Sequence, residues 1–228
     1  MEERIVKCLS VGDIRTNCWI YSLAPKEPAG HGAECVVIDP GGEASYIIAV
    51  LKELNLWPRW LLLTHGHFDH ILALPELAAA FAGATPRPAI AIHREDAEYL
   101  GPASFAVHHS SMISVGYREA QIKSLWKDMP PADKLLSDGD VLGPLKTLHL
   151  PGHTKGSAGF YDEEAGILFS GDTLFRSGIG RTDLIGGSFT EIQQSLKRLF
   201  AMDKSICVCP GHGPATTIGE EAGHTGYF

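Results

Sequence analysis

The sequence predicts an α/β fold, on three observations. Short runs rich in β-branched and aromatic residues recur along the chain, and apolar residues at helical spacing follow several of them. The sharpest strand-like runs break at glycine turns that carry histidine or aspartate. With 228 residues and 44% hydrophobic side chains, the chain can bury a substantial core, and one domain over residues 1–228 is expected.

Ile5 to Leu9, Cys18 to Leu23 and Cys35 to Asp39 read as strands, with Ala24 to Gly32 as a loop. The third ends in Asp39-Pro40-Gly41-Gly42, and Glu43 to Leu54 then carries apolar residues at helical spacing. Asp39 is expected to organise its own turn, as a carboxylate beside turn glycines commonly does. A buried strand ends at Trp60 to Leu63, and Ile71 to Phe81 reads as a helix. Further along come a proline-rich loop from Ala84 to Pro88, a strand from Ala89 to Ile92 and a helix from His93 to Leu100, His93 being a structural histidine. Gly101 to Asp138 holds His108, His109, Met112, Tyr117, Trp126 and Met129, with a helix from Val115 to Lys127. Packing is the expected role of this insert, and a lid is the alternative. Strands resume at Lys146 to Leu150, Ser157 to Tyr161, Ile167 to Ser170 and Ile206 to Cys209.

Between the central strand and its helix stands Thr64-His65-Gly66-His67-Phe68-Asp69-His70. His65 and His67 alternate across one residue, so period two sends both side chains the same way, while Asp69 and His70 open the helix and face a second point. Three histidines and an aspartate in six residues exceed what capping a helix requires. One turn can thus offer two ligands to each of two metal ions. Three more strands end in Gly152-His153, Gly171-Asp172 and Gly211-His212, making seven ligand-type residues at four strand ends.

Composition narrows the function. A net charge of −8 and a pI near 5.7 argue against a nucleic-acid surface. The longest apolar run, Ile71 to Ala82, contains Pro75 and Glu76 and is too short for a bilayer. The acidic start Met1-Glu2-Glu3-Arg4 does not read as a signal peptide. Five cysteines, an odd number lying mostly in strand-like runs, read as buried free thiols in a reducing cytoplasm.

The motifs Ile38-Asp39-Pro40-Gly41-Gly42, Thr64 to His70, Pro151-Gly152-His153-Thr154, Ser170-Gly171-Asp172-Thr173 and Pro210-Gly211-His212-Gly213 together resemble the metallo-β-lactamase superfamily. The resemblance implies a four-layer αββα sandwich, two mixed sheets with helices on both outer faces. It also implies a dinuclear site: His65, His67 and His153 on one metal, Asp69, His70 and His212 on the other, and Asp172 bridging. Two cations roughly 3.5–4 Å apart share a water and make hydroxide available near neutral pH. Asp172 and Asp69 would then act in catalysis by positioning that nucleophile. Zinc is expected, with iron and manganese compatible with the same ligands.

Members that hydrolyse antibiotics commonly have cysteine at the position of Asp172. The tract Phe169 to Leu184 is instead similar to the glyoxalase II-like group, which implies hydrolysis of glutathione thioesters such as S-lactoylglutathione. Classical members continue into a helical domain that helps hold glutathione, whereas this chain ends at Phe228 and resembles the short, single-domain members. Arg176 and Arg181 follow Asp172 and are candidates to meet a substrate carboxylate, with an Arg181–Asp183 brace as the structural alternative. Persulfide dioxygenases, with one iron at positions matching His65, His153 and Asp172, resemble the chain too. Other esters or lactones are a further substrate class. A small-molecule substrate is thus the expected partner, and oligomeric state is not encoded legibly.

Overall fold

The computed structural model describes residues 4–23 and 32–223. Except for Gly32, the loop expected at Ala24 to Gly32 lies outside them, as do Met1 to Glu3 and the chain end at Phe228. The chain forms two compact units: Met1–Leu63, His67–Ala91 and Glu98–Lys134 in the first, and Thr64–Gly66, Ile92–Ala97 and Leu135–Phe228 in the second. No helix among the described residues is long and apolar enough to cross a membrane.

One sheet takes six strands in chain order: β1 (Val6–Val11), β2 (Thr16–Ser22), β3 (Ala33–Ile38), β4 (Leu56–Leu62), β5 (Ala89–His93) and β6 (Lys134–Leu136). β1–β2 and β2–β3 are antiparallel, and β3–β4 and β4–β5 are parallel. Every residue of β2 is buried, which accounts for the unbroken apolar run Cys18-Trp19-Ile20-Tyr21. The crossover from β3 to β4 is α1 (Ala44–Glu53), whose Ile47, Val50 and Leu51 are buried. The β3–β4 register slips where Cys35 faces Pro58 and Val36 faces Trp60, because proline has no N–H for the ladder.

The helix expected from Ile71 to Phe81 is two helices, α2 (Phe68–Ile71) and α3 (Leu74–Ala80). Pro75 causes the break, since in a continuous helix its ring would clash with the Ile71 carbonyl. Likewise His93 ends β5, and the helix after it is a 3₁₀ helix over Arg94–Tyr99. The expected Val115 to Lys127 helix shortens to α5 (Glu119–Leu125), preceded by α4 (Phe105–Ser114). Gly116, at φ 96°, turns the chain between them.

This insert packs rather than floats. Met112 and Ile122 form a buried cluster with Phe68, against which Tyr117 and Leu125 lie. His108 is fully buried, donates from Nε2 to the Tyr99 carbonyl (2.8 Å) and lies 4.7 Å from the Trp126 ring. Burial lowers its pKa from 6.5 to about 4. Because the folded pKa is depressed, the unfolded chain binds the proton first as pH falls below 6.5, and stability is lost on the way to pH 4. Between pH 7 and pH 5, His108 alone should cost on the order of 2 kcal/mol. Urea unfolding at both pH values tests this: His108→Leu should lose less stability than the wild type over that interval, and an equal loss excludes the assignment.

In the second unit a sheet runs in the order β14-β13-β10-β9-β8-β7, from β7 (Val141–Leu142), β8 (Leu145–His149), β9 (Ala158–Asp162), β10 (Ile167–Gly171), β13 (Cys207–Pro210) and β14 (Thr216–Thr217). It is mixed, the β10–β13 pair being parallel. A small hairpin of β11 (Leu174–Phe175) and β12 (Gly178–Ile179) follows β10. α6 (Phe189–Phe200) has no counterpart among the expected elements, although its signals are present. The Ser188 hydroxyl accepts from the Glu191 N–H, and Ile192, Leu196 and Leu199 recur along one buried face. That face joins Leu148, Leu150, Leu168 and Val208 in the core. Among the described residues the last helix is α7 (Ile218–Glu221). Cys18, Cys35 and Cys209 are buried as expected, but Cys8 is exposed and Cys207 half-buried. In β1, Cys8 falls in a stretch whose residues face solvent.

Candidate metal centre

In the first unit, β4 delivers His67, which is extended at φ −65° and ψ 146°, and α2 then carries Asp69 and His70. His70 is completely buried, and its Nδ1 is 3.0 Å from Asp39 Oδ2. A carboxylate oxygen accepts, so Nδ1 bears the hydrogen and Nε2 is left with its lone pair. Nε2 lies 3.4 Å from Asp69 Oδ2, and that oxygen accepts from the Thr16 hydroxyl at 3.0 Å. Asp39 therefore does more than shape its turn, because it fixes the ring of a candidate ligand. It does so from left-handed backbone, at φ 53°. Gly41 is required nearby, since a Cβ there would fall 1.8 Å from the Asp69 carbonyl oxygen. Asp39→Asn should lower metal affinity about 10- to 100-fold by loosening His70. Competition with a chromophoric chelator measures this, and an affinity equal to the wild type would remove Asp39 from the site.

In the second unit, His65, His153, Asp172 and His212 come together from the ends of different strands. The His65 and His153 rings are 4.8 Å apart and nearly perpendicular. His153 Nδ1 donates to the Arg181 carbonyl at 2.7 Å, which turns Nε2 toward Asp172. His153 Nε2 and His212 Nε2 each stand 3.6 Å from Asp172 Oδ2. That is too far for a hydrogen bond, but ligands about 2.1 Å from one cation stand about 3.4 Å apart at tetrahedral angles. The donors thus fit a metal. The seven expected ligands are divided between the units, His67, Asp69 and His70 in the first and His65, His153, Asp172 and His212 in the second.

Asp96, like Thr16, is a residue that sequence reasoning missed. It is buried on the 3₁₀ helix and accepts from the Gly66 N–H (3.0 Å), the Gly156 N–H (2.7 Å) and the Thr154 hydroxyl (2.7 Å). Burial pushes its carboxyl above the usual range, against the pull of these donors. One carboxylate thereby holds the loop that follows His65 and the loop that follows His153. Its contacts lie 30 to 60 residues away, so no local spacing signals it.

Arg181 forms the brace with Asp183, the structural alternative to substrate binding. Its guanidinium forms a bidentate pair with Asp183, at 2.7 Å from both Nε and Nη2, on the exposed surface. Its backbone carbonyl is what reaches the site. Gly180 allows this approach, since a Cβ there would fall 1.8 Å from the Asp172 carbonyl oxygen. Arg176 is exposed just before β12. His93, expected to be structural, stacks on His149 with centroids 4.0 Å apart.

A family model for the metallo-beta-lactamase superfamily matches residues 11–212, running through both units and every candidate ligand. The chain belongs to this superfamily. Its two mixed sheets with helices are the superfamily's α/β fold, a fold that binds divalent metals, and the chain is a metallo-hydrolase of that kind. It is 37% identical over 215 residues to the probable metallo-hydrolase YqgX of Bacillus subtilis (strain 168), covering 92% of this chain and 90% of that protein. It is 34% identical over 196 residues to the hydroxyacylglutathione hydrolase GloC of Haemophilus influenzae, covering 81% and 82%. Among solved structures, BLEG-1 B3 metallo-β-lactamase is 33% identical with a TM-score of 0.77, covering 96% of this chain and 97% of that one. TTHA1623, solved in a di-iron-bound form, is also 33% identical, with a TM-score of 0.76 and coverage of 95% and 97%.

Proposed function

We propose that this superfamily member is a binuclear thioester hydrolase acting on glutathione thioesters of the S-lactoylglutathione type. The observation that carries the reading is Asp172, whose Oδ2 stands 3.6 Å, a co-ligand distance, from both His153 Nε2 and His212 Nε2, the two histidines that the resemblance assigns to different ions. The di-iron form of TTHA1623 and the likeness to the hydrolase GloC support it. In this reading His65, His67 and His153 hold one ion, Asp69, His70 and His212 hold the other, and Asp172 serves both.

A bound pair of divalent ions supplies an activated water and polarises the thioester carbonyl. The chain's own groups do the rest. Asp69 accepts a hydrogen bond from the attacking water and aims it, while Asp39 and the Arg181 carbonyl hold His70 and His153 in one tautomer each. Zinc suits the donors, and iron or manganese would as well. We place the activity in the cytoplasm, where thiols such as those of Cys18 and Cys35 stay reduced.

Elemental analysis of protein purified without chelators, run beside a thiol-release assay on S-lactoylglutathione, tests the reading. Near two ions per chain with thiol release is the expected result. One iron, no thiol release and oxygen uptake with glutathione persulfide would replace it with a dioxygenase. Cleavage of a β-lactam without thiol release would replace it with the activity named for BLEG-1.

Arg176 is the remaining candidate for a substrate carboxylate. Arg176→Ala should raise KM several-fold and leave kcat nearly unchanged, as loss of uniform binding does. An unchanged KM would exclude it.

A further inference from the structure

A cavity of about 290 Å³ lies wholly within the first unit, with the candidate ligand Asp69 in its wall. Phe68 and Leu72 line it from the ligand turn, Ile14 from the β1–β2 connection, and Tyr117 and Leu125 from the insert. The Tyr117 ring packs edge-on against Phe68 at 5.2 Å, so the insert's buried cluster holds this wall in place. The charged lining is one-sided: the carboxylates of Asp13, Glu43, Glu76 and Asp69 against the ammonium of Lys127, which already pairs with Glu76. The Gly12 N–H donates to Glu43 Oε2, fixing that carboxylate at the edge.

We propose that this cavity is the acyl-specificity pocket of the enzyme, and that it takes an uncharged, largely apolar acyl chain longer than lactoyl. The proposal rests on the thioester reading above. The thiol half of a glutathione thioester carries two carboxylates, which four lining carboxylates would repel, so the acyl half is the part that fits beside Asp69. Its volume is near the lower end for small-molecule sites, enough for one arm of a substrate but not for a whole peptide conjugate.

Glutathione thioesters bearing acetyl, butanoyl, hexanoyl and succinyl groups, given to the metal-loaded enzyme, test it. The expected kcat/KM rises about three- to four-fold per methylene from acetyl to hexanoyl. The succinyl ester, with its terminal carboxylate, should fall about ten-fold or more below butanoyl. Ser124 is an exposed lining residue on α5, and Ser124→Trp should cut the hexanoyl-to-acetyl ratio at least about ten-fold by filling the cavity. Leu125→Ala, which widens the same wall, should raise that ratio. A flat series, a succinyl ester as good as butanoyl, or an unchanged ratio in Ser124→Trp overturns the pocket while leaving thioester hydrolysis standing. No thiol release from any ester overturns both.

Discussion

Asp172→Ala should purify with less than its full metal and hydrolyse S-lactoylglutathione about a thousand-fold more slowly. The carboxylate is the group on which His153 Nε2 and His212 Nε2 converge, each at 3.6 Å. Removing it would leave two imidazoles aimed at a point with no anionic donor and, on the binuclear reading proposed above, would take a shared ligand from both ions. Several kcal/mol of transition-state stabilisation goes with such a ligand, which is the stated rate factor. Elemental analysis and initial rates, taken on one preparation, decide the matter. Two ions per chain with a wild-type rate would show that Asp172 is not a bridging ligand.

The second large effect falls on stability. Asp96→Ala should lower the unfolding free energy by about 3–5 kcal/mol, because the Gly66 and Gly156 N–H groups and the Thr154 hydroxyl all lose their buried acceptor. For a chain of this length that corresponds to a melting temperature lower by roughly 10 °C. Asp96→Asn keeps one acceptor oxygen and should fall between the two. Thermal unfolding of the metal-free proteins isolates this contribution from metal binding. A loss below about 1 kcal/mol would mean that water takes over those donors, and that Asp96 is not what ties the two loops.

The candidate ligands could be named from the sequence because each carries a signal in its own few residues. His65, His67, Asp69 and His70 share one turn, and His153, Asp172 and His212 each follow a glycine at a strand end. β1 to β5, β8 to β10 and β13 were legible as strand-like runs, most ends within two residues, whereas β6, β7 and β14 are two or three residues long and too short to show a pattern. The supports were not legible. Asp96 and Thr16 reach their partners across 30 and 53 residues, and Asp39 reaches His70 across 31. Only folding brings such pairs together, so neither periodicity nor motif spacing reports them. Helices around the insert were misread for a different reason. Phe105 to Ser114 is helical with only His108, Ser111 and Met112 buried, too few to trace an apolar stripe. α6, by contrast, has a clear cap and stripe and could have been read.

Asp39 carries a consequence for how this protein could be improved or ruined. A side chain at φ 53° is one its backbone tolerates poorly, and glycine would relieve it. Asp39→Gly would nevertheless take from the fully buried His70 Nδ1–H this acceptor, a cost of about 1–3 kcal/mol that offsets the strain relieved. At this position backbone comfort and ligand orientation pull in opposite directions: the carboxylate that strains the chain is the one that holds the imidazole.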